Sequence, residues 1–254
     1  MKLVVLAAGY ATRLYPLTLD RPKMLLDIAG VPMLERLLDK LAPIDGIDET
    51  YLVTNAKFAE QFRDWAAAYT GPLRPRIIDD GTTSEHDRLG ASGDLDLVLR
   101  QERIDDDVIV VAGDNLFTET LEGFGDFARA RRAPVLAVYD VGDLELVPRY
   151  SSVQVDADAR IVWLEEKPEH PRGTLAGVAL YFYPRDVAPL VRQYLDEGGN
   201  PDQPGRFVQW LVPRRAVYAW QIPGRWLDIG SHETLREASE IFHTLEAPGT
   251  SARA

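Results

Sequence analysis

Leu3-Val4-Val5-Leu6-Ala7-Ala8-Gly9-Tyr10-Ala11-Thr12-Arg13 is an apolar run that breaks at a glycine and ends on a cation. Leu3 to Ala8 has the length and composition of a buried strand. In open α/β sheets ligands collect beyond the carboxyl ends of strands. A loop of small residues there lets backbone N–H groups approach phosphate oxygens. Arg13 adds a forked cation suited to a polyphosphate, and Lys23 adds a point charge. The run Asp20-Arg-Pro-Lys-Met24 keeps Lys23 in the same loop system. The stretch is not a P-loop, because the chain has no G-x-x-x-x-G-K-[ST]. It is not a dinucleotide fingerprint either, because Arg13-Leu14 stands where a glycine is required. A plain strand–turn with exposed basic residues is the structural alternative.

Outward from this stretch, strand and helix patterns alternate. Pro32 to Leu41 places Leu34, Leu37, Leu38 and Leu41 at helical spacing behind a proline. Strands are expected at Glu49–Thr54, Arg76–Asp79, Asp107–Ala112, Pro134–Tyr139 and Ala176–Tyr183. Helices are expected at Phe58–Tyr69, Leu95–Glu102, Phe124–Arg132, Val187–Leu195 and His232–Leu245. Asp107–Ala112 is apolar on both faces, as in a parallel sheet covered on both sides. Tyr150 to Leu164 alternates around Asp156-Ala-Asp-Ala and reads as a hairpin. The order predicts an α/β fold with a mainly parallel sheet and a β-rich insertion. One domain is expected over residues 1–245, with a flexible tail over 246–254.

The 254 residues are 46% hydrophobic and 27% charged, a globular balance with apolar content for one sizeable core. The net charge of −12 argues against nucleic-acid or anionic-membrane binding. Residues 1–26 run against that trend, with Lys2, Arg13, Arg21 and Lys23 opposed by Asp20 alone. A cationic island in an acidic protein points to a small anionic ligand. There is no cysteine, which excludes disulfides, zinc–thiolate sites and cysteine nucleophiles. The start lacks a signal-peptide h-region and no membrane span is present, so a cytoplasmic protein is expected.

Two aspartates complete the reading. Asp114 in Gly113-Asp-Asn115 closes the best strand and should emerge at the same sheet edge as the first loop. Asp228 lies in Arg225-Trp-Leu-Asp-Ile-Gly-Ser231. One or two carboxylates with phosphate oxygens satisfy Mg²⁺, so the pair suffices if it converges. Taken alone, Gly-Asp-Asn is equally the composition of a turn.

In their order and spacing, five segments resemble sugar-phosphate nucleotidylyltransferases, glucose-1-phosphate thymidylyltransferases above all. They are Leu6–Arg13 with Arg21-Pro-Lys23; Leu89-Gly-Ala-Ser-Gly93; Gly113-Asp-Asn-Leu-Phe117; Arg149-Tyr150 with Leu164-Glu-Glu-Lys-Pro168; and Leu180-Tyr-Phe-Tyr183 with Trp226–His232. The resemblance implies a Rossmann-like three-layer α/β/α fold and the reaction of an NTP with a sugar 1-phosphate to give an NDP-sugar and pyrophosphate. It implies that Ala8, Gly9, Tyr10, Ala11, Thr12 and Arg13 hold the nucleotide, that Lys23 contacts the reacting phosphates, and that Gly90 lies by the base. It places Mg²⁺ on Asp114 and Asp228, sugar hydroxyls on Glu166, the acceptor phosphate on Lys167, and Tyr150 and Tyr181 around the acceptor. A homo-oligomer is compatible with it.

The chain departs from the family pattern at identifiable points. Ala11 replaces the second loop glycine, and Ser151 stands where glycine is usual. Gly177 and Ala179 exchange the usual larger and smaller residues of the sugar-side strand. The segment 79–88 lacks the glutamine pattern of thymidylyl and uridylyl enzymes, which leaves cytidylyl and guanylyl transfer as alternatives to thymidylyl transfer. Glu85 and Asp87 precede Gly90 and could accept from a base edge, and Arg88 could meet a base carbonyl. A silent nucleotide-sugar-binding regulatory subunit would have lost charged positions, whereas Arg13, Lys23, Asp114, Lys167 and Asp228 are all present. A related glycosyltransferase would need Asp-x-Asp at a strand end. Asp94-Leu-Asp96 falls instead in an expected helix.

Overall fold

The computed structural model describes residues 1–247. Its elements, in chain order, are β1 (Lys2–Leu6), β2 (Asp27–Ile28), β3 (Val31–Pro32), α1 (Met33–Leu41), β4 (Glu49–Thr54), α2 (Ala59–Ala68), β5 (Pro75–Asp79), α3 (Ala91–Gln101), β6 (Val108–Ala112), β7 (Asn115–Phe117) and α4 (Glu122–Arg131). There follow β8 (Val135–Asp140), β9 (Ser151–Val155), β10 (Ile161–Glu166), β11 (Leu175–Tyr183), α5 (Leu190–Asp196), α6 (Pro204–Leu211), β12 (Tyr218–Gln221), β13 (Trp226–Asp228) and α7 (His232–Glu246).

The parallel strands β5, β4, β1 and β6 form one side of a nine-stranded sheet. Antiparallel β11 continues it from β6. Strand β11 is shared along its length: Leu180–Tyr183 pair with β6, while Ala176 and Gly177 pair with β9. Its other edge carries β8, which pairs in turn with β12. The expected hairpin is β9–β10. All four parallel strands therefore end at one edge, and the loops after β1, β5 and β6 gather there.

The unbroken apolar run of β1 is explained by its two covered faces. Leu3 and Val5 pack with Leu34, Leu37 and Leu38 of α1, Phe62 of α2 and Phe124 of α4. Val4 and Leu6 pack with Leu95 and Val98 of α3, Val191 of α5 and Phe207 of α6. This is the three-layer α/β/α arrangement. Each fully buried Leu, Ile, Val or Phe contributes about 1.5–3 kcal/mol of transfer free energy. A third, smaller cluster joins Ile28, Met33, Leu116, Ile229, Ala238 and Phe242, and seats α7 against the β7–β13 ribbon.

Several bounds differ from expectation. Strand β1 ends at Leu6, leaving Ala7 and Ala8 to the loop. Helix α3 starts at Ala91, four residues early, because Gly90 breaks the chain with φ 78°. Helix α5 starts only at Leu190, after Pro189. Strands β7, β12 and β13 and helix α6, all short, were not expected. Helix α7 opens on a capping box between Ser231 and Thr234. It runs to Glu246, which pairs with buried Arg36 at 2.6 Å. From residue 248 on, the expected tail lies outside the described residues.

Candidate active site

The loop after β1 presents donors and hides acceptors. The Ala7 carbonyl takes Thr54 Oγ1 at 3.3 Å, and the Ala8 carbonyl takes Asn55 Nδ2 at 2.8 Å. The Ala11 carbonyl takes buried Thr18 Oγ1 at 2.8 Å. The N–H groups of Ala8, Gly9, Tyr10 and Ala11 donate to no acceptor among the described residues. Carbonyls turned inward and N–H groups left free make an anion cradle. Ala11 sits in the left-handed region, φ 50° and ψ 42°. That explains the glycine usual in the family pattern, and it costs an L-residue roughly 1–2 kcal/mol. Gly9 is exposed with open space around its Cα.

The two expected carboxylates converge. Antiparallel β7 and β13 pair Asn115 with Asp228, and Ile229 N donates to the Asp114 carbonyl at 3.2 Å. Asn115 fixes the ribbon by accepting from Trp226 Nε1 at 2.8 Å and donating to the Ala179 carbonyl at 3.1 Å. Lys23, almost fully buried, reaches Asp114 Oδ2 at 2.8 Å. Burial, and then the charge of Asp114, push the Asp228 carboxyl up to about 6, against the pull of Lys23, Arg13 and Arg149. Two carboxylates brought to one point supply the oxygen donors that a divalent cation takes. Among the described residues no third carboxylate or histidine joins the pair. Exposed Arg13 reaches toward the same place, with its guanidinium beside Gly230. His232 at the start of α7 ties to the Tyr15 carbonyl at 3.0 Å and stays outside the centre.

The segment 79–90 leans on the first loop. Tyr10 and Thr82, both buried, meet at 3.5 Å, and Thr12 Oγ1 reaches Glu85 Oε1 at 3.4 Å. Glu85 thus lies beside the cradle. Asp87 does not serve as a free acceptor. Its oxygens take the N–H and hydroxyl groups of Thr83 and Ser84, which hold its carboxyl down to about 2. Arg88 is likewise engaged, with Asp202 at 2.7 Å. A Cβ at Gly90 would lie 2.7 Å from the Pro201 backbone, so glycine is required there. Asp94 and Asp96 lie in α3, as expected.

Next to Asp114 and Asp228 a cavity of about 140 Å³ opens. Tyr150, Glu166 and Tyr181 line it, as expected. So do Arg149, Ser151, Gly205 and Trp226, which were not expected as site residues. Arg149 and Trp226 stood inside the quoted motifs, whereas Gly205 had no sequence signal. Tyr150 packs edge-on against Trp226, with ring centres 4.9 Å apart. Lys167 follows Glu166 but is exposed, with φ 49°, and lies outside the cavity lining. A larger cavity of about 700 Å³ lies at the opposite end of the sheet, by Asp107 and Arg185. Its Arg129 and Arg185 are paired with Asp126 and Asp105, and no expected site residue reaches it.

The family model for nucleotidyl transferase matches residues 2–244. The bifunctional protein GlmU of Methanocaldococcus jannaschii is 27% identical over 95% of this chain and 54% of its own length. The glucose-1-phosphate thymidylyltransferase of Neisseria meningitidis serogroup A is 29% identical over 97% of this chain and 84% of its own length. The chain therefore spans about half of the first relative and most of the second. A crystal structure of apo UDP-glucose pyrophosphorylase superposes with a TM-score of 0.81 over 96% of this chain and 98% of that one, at 18% identity, a likeness of fold.

Proposed function

The chain belongs to the nucleotidyl transferase family, and on that premise we propose that it transfers a nucleotidyl group from an NTP to a sugar 1-phosphate, releasing pyrophosphate. The observation that carries this reading is the meeting of Asp114 and Asp228, from distant parts of the chain, beside a loop of free N–H groups and beside Lys23. Both reactants are anions, so the site has to offset their repulsion and the charge on departing pyrophosphate. The N–H groups of residues 8–11 with Arg13 hold the triphosphate. Lys23 steadies Asp114 and faces the reacting phosphates. Asp114 and Asp228 would hold Mg²⁺, which supplies charge neutralisation and orientation at the phosphates. An acceptor phosphate oxygen is already ionised and attacks the α-phosphorus without a general base. A centre with no histidine suits that chemistry.

The acceptor's sugar sits in the cavity by Tyr150, Glu166 and Tyr181, and Lys167, next to Glu166 in the chain, takes the acceptor phosphate. The base sits against Gly90 and Glu85. Thymidylyl transfer from dTTP ranks first on the sugar-side segments, with cytidylyl and guanylyl transfer as alternatives. The acidic surface and the absence of a membrane-crossing helix among the described residues support a cytoplasmic location without nucleic-acid or membrane partners. The test is a pyrophosphate-release screen crossing five NTPs with a panel of sugar 1-phosphates and other phosphate esters. One NTP–acceptor pair standing at least tenfold above the rest is expected. Release with no pair overturns the reading.

A further inference from the structure

Glu166 is the one carboxylate in the acceptor cavity outside the Asp114–Asp228 pair. It is 9% exposed, and its backbone N–H is tied to Gln209 Oε1 at 3.0 Å. Its two oxygens are not equivalent. Oε2 accepts the hydroxyl of Ser151, itself 4% exposed, whereas Oε1 has no partner among the described residues. Two glycines make this arrangement possible. A Cβ at Gly205, in the first turn of α6, would collide with Glu166 Oε2 and lie 2.7 Å from Ser151 Oγ. A Cβ at Gly177 on β11 would lie 3.1 Å from both Ser151 Cβ and Oγ. Backbone has been brought close from two sides to fit a side chain at 151.

A free carboxylate with two open oxygens suits a vicinal diol, one hydroxyl to each oxygen. Here Oε2 already accepts a buried hydroxyl and is covered by the backbone of Gly205 before any ligand arrives, which leaves Oε1 as the open oxygen. Diverting Oε2 would leave the buried Ser151 hydroxyl without its acceptor, which is costly. We propose that Ser151 is a specificity-positioning residue: by occupying Oε2 of Glu166 it makes the acceptor a hexose 1-phosphate that engages this carboxylate through a single hydroxyl. This rests on the reading of the cavity as the acceptor site.

The experiment uses the whole purified chain with the best hexose 1-phosphate from the screen and its 2-, 3-, 4- and 6-deoxy analogues. Wild type, Ser151→Gly and Ser151→Ala are compared. In wild type, removing one hydroxyl should lower kcat/KM about 10–100-fold, the scale of a hydrogen bond to a charged group, and removing its neighbours less than threefold. In Ser151→Gly, which frees Oε2 and opens the corner, a second, adjacent hydroxyl should acquire a comparable factor. Ser151→Ala also frees Oε2, so the same second hydroxyl should gain, by a smaller factor because the methyl group still fills part of the corner. Two adjacent hydroxyls of equal weight in wild type overturn the inference, and so does a Ser151→Gly pattern identical to wild type. So does pyrophosphate release with non-sugar phosphates alone. If Ser151→Gly fails to fold, the wild-type deoxy pattern decides. Release with no acceptor at all removes the nucleotidyl-transfer reading and the inference with it.

Discussion

Asp80, just beyond β5, and Asp94, in the first turn of α3, act on each other at close range, and Asp80 Oδ2 and Asp94 Oδ1 are both buried without a hydrogen-bond partner. Asp80 keeps its other oxygen on Thr82 N at 2.7 Å. Two carboxylates in such contact cannot both carry charge, so they share a proton. Burial, then the charge of Asp80, push Asp94 up to about 8, and Asp202 adds to the effect.

The pair predicts a pH dependence of stability with a definite sign. The folded chain keeps a proton that the unfolded chain releases near pH 4. The associated stability is therefore complete below about pH 4 and declines as pH rises through about 8. Asp94→Asn keeps a donor facing Asp80 and removes the titration. Its melting temperature should gain on wild type steadily between pH 5 and pH 8.5. Parallel melting curves across that range would show that the two side chains do not share a proton.

Asp114→Asn and Asp228→Asn should each lower turnover at least ~100-fold, because a metal held by this pair would offset several kcal/mol of charge in the transition state. Steady-state rates at saturating Mg²⁺ check this. Near-normal turnover in either variant removes that aspartate from the centre.

Lys167 and Arg149 offer rival homes for the acceptor phosphate. Lys167→Ala should raise the acceptor KM about tenfold and leave the NTP constant within twofold. If Lys167→Ala is silent and Arg149→Ala raises the acceptor constant, the phosphate belongs to Arg149, which lines the cavity.

Glu85 touches Thr12 of the cradle and is otherwise open. Glu85→Gln should shift relative kcat/KM among NTPs by ~1–3 kcal/mol, the scale of a mismatched polar partner. An unchanged NTP ranking would leave Glu85 as a tie between two loops.

What could be read in advance follows physical length scales. Strands β1, β4 and β6 are buried on both faces, so their apolar runs were visible without context. That alone placed the first loop and Asp114 at one edge. Strands β7 and β13 have three residues each, too few for any period, so Asp228 could be named as a second carboxylate but its meeting with Asp114 was implied only by the resemblance. Helix α6 opens Pro204-Gly205-Arg206, where the proline suits a first turn but the glycine weakens the helical signal. Its purpose emerges only when Glu166 and Ser151 fill the space that Gly205 leaves. Asp87 and Arg88 looked available because local turn bonds and a partner as remote as Asp202 leave no periodic trace.

The ribbon of β7 and β13 also orders events during synthesis. Every strand of the nine-stranded sheet is complete by Gln221, the end of β12, before Asp228 has been added. A growing chain can therefore assemble its phosphate cradle, Lys23 and Asp114 while the second carboxylate is still unmade. The second carboxylate is thus contributed from outside the sheet, by a ribbon that follows its last strand in the chain.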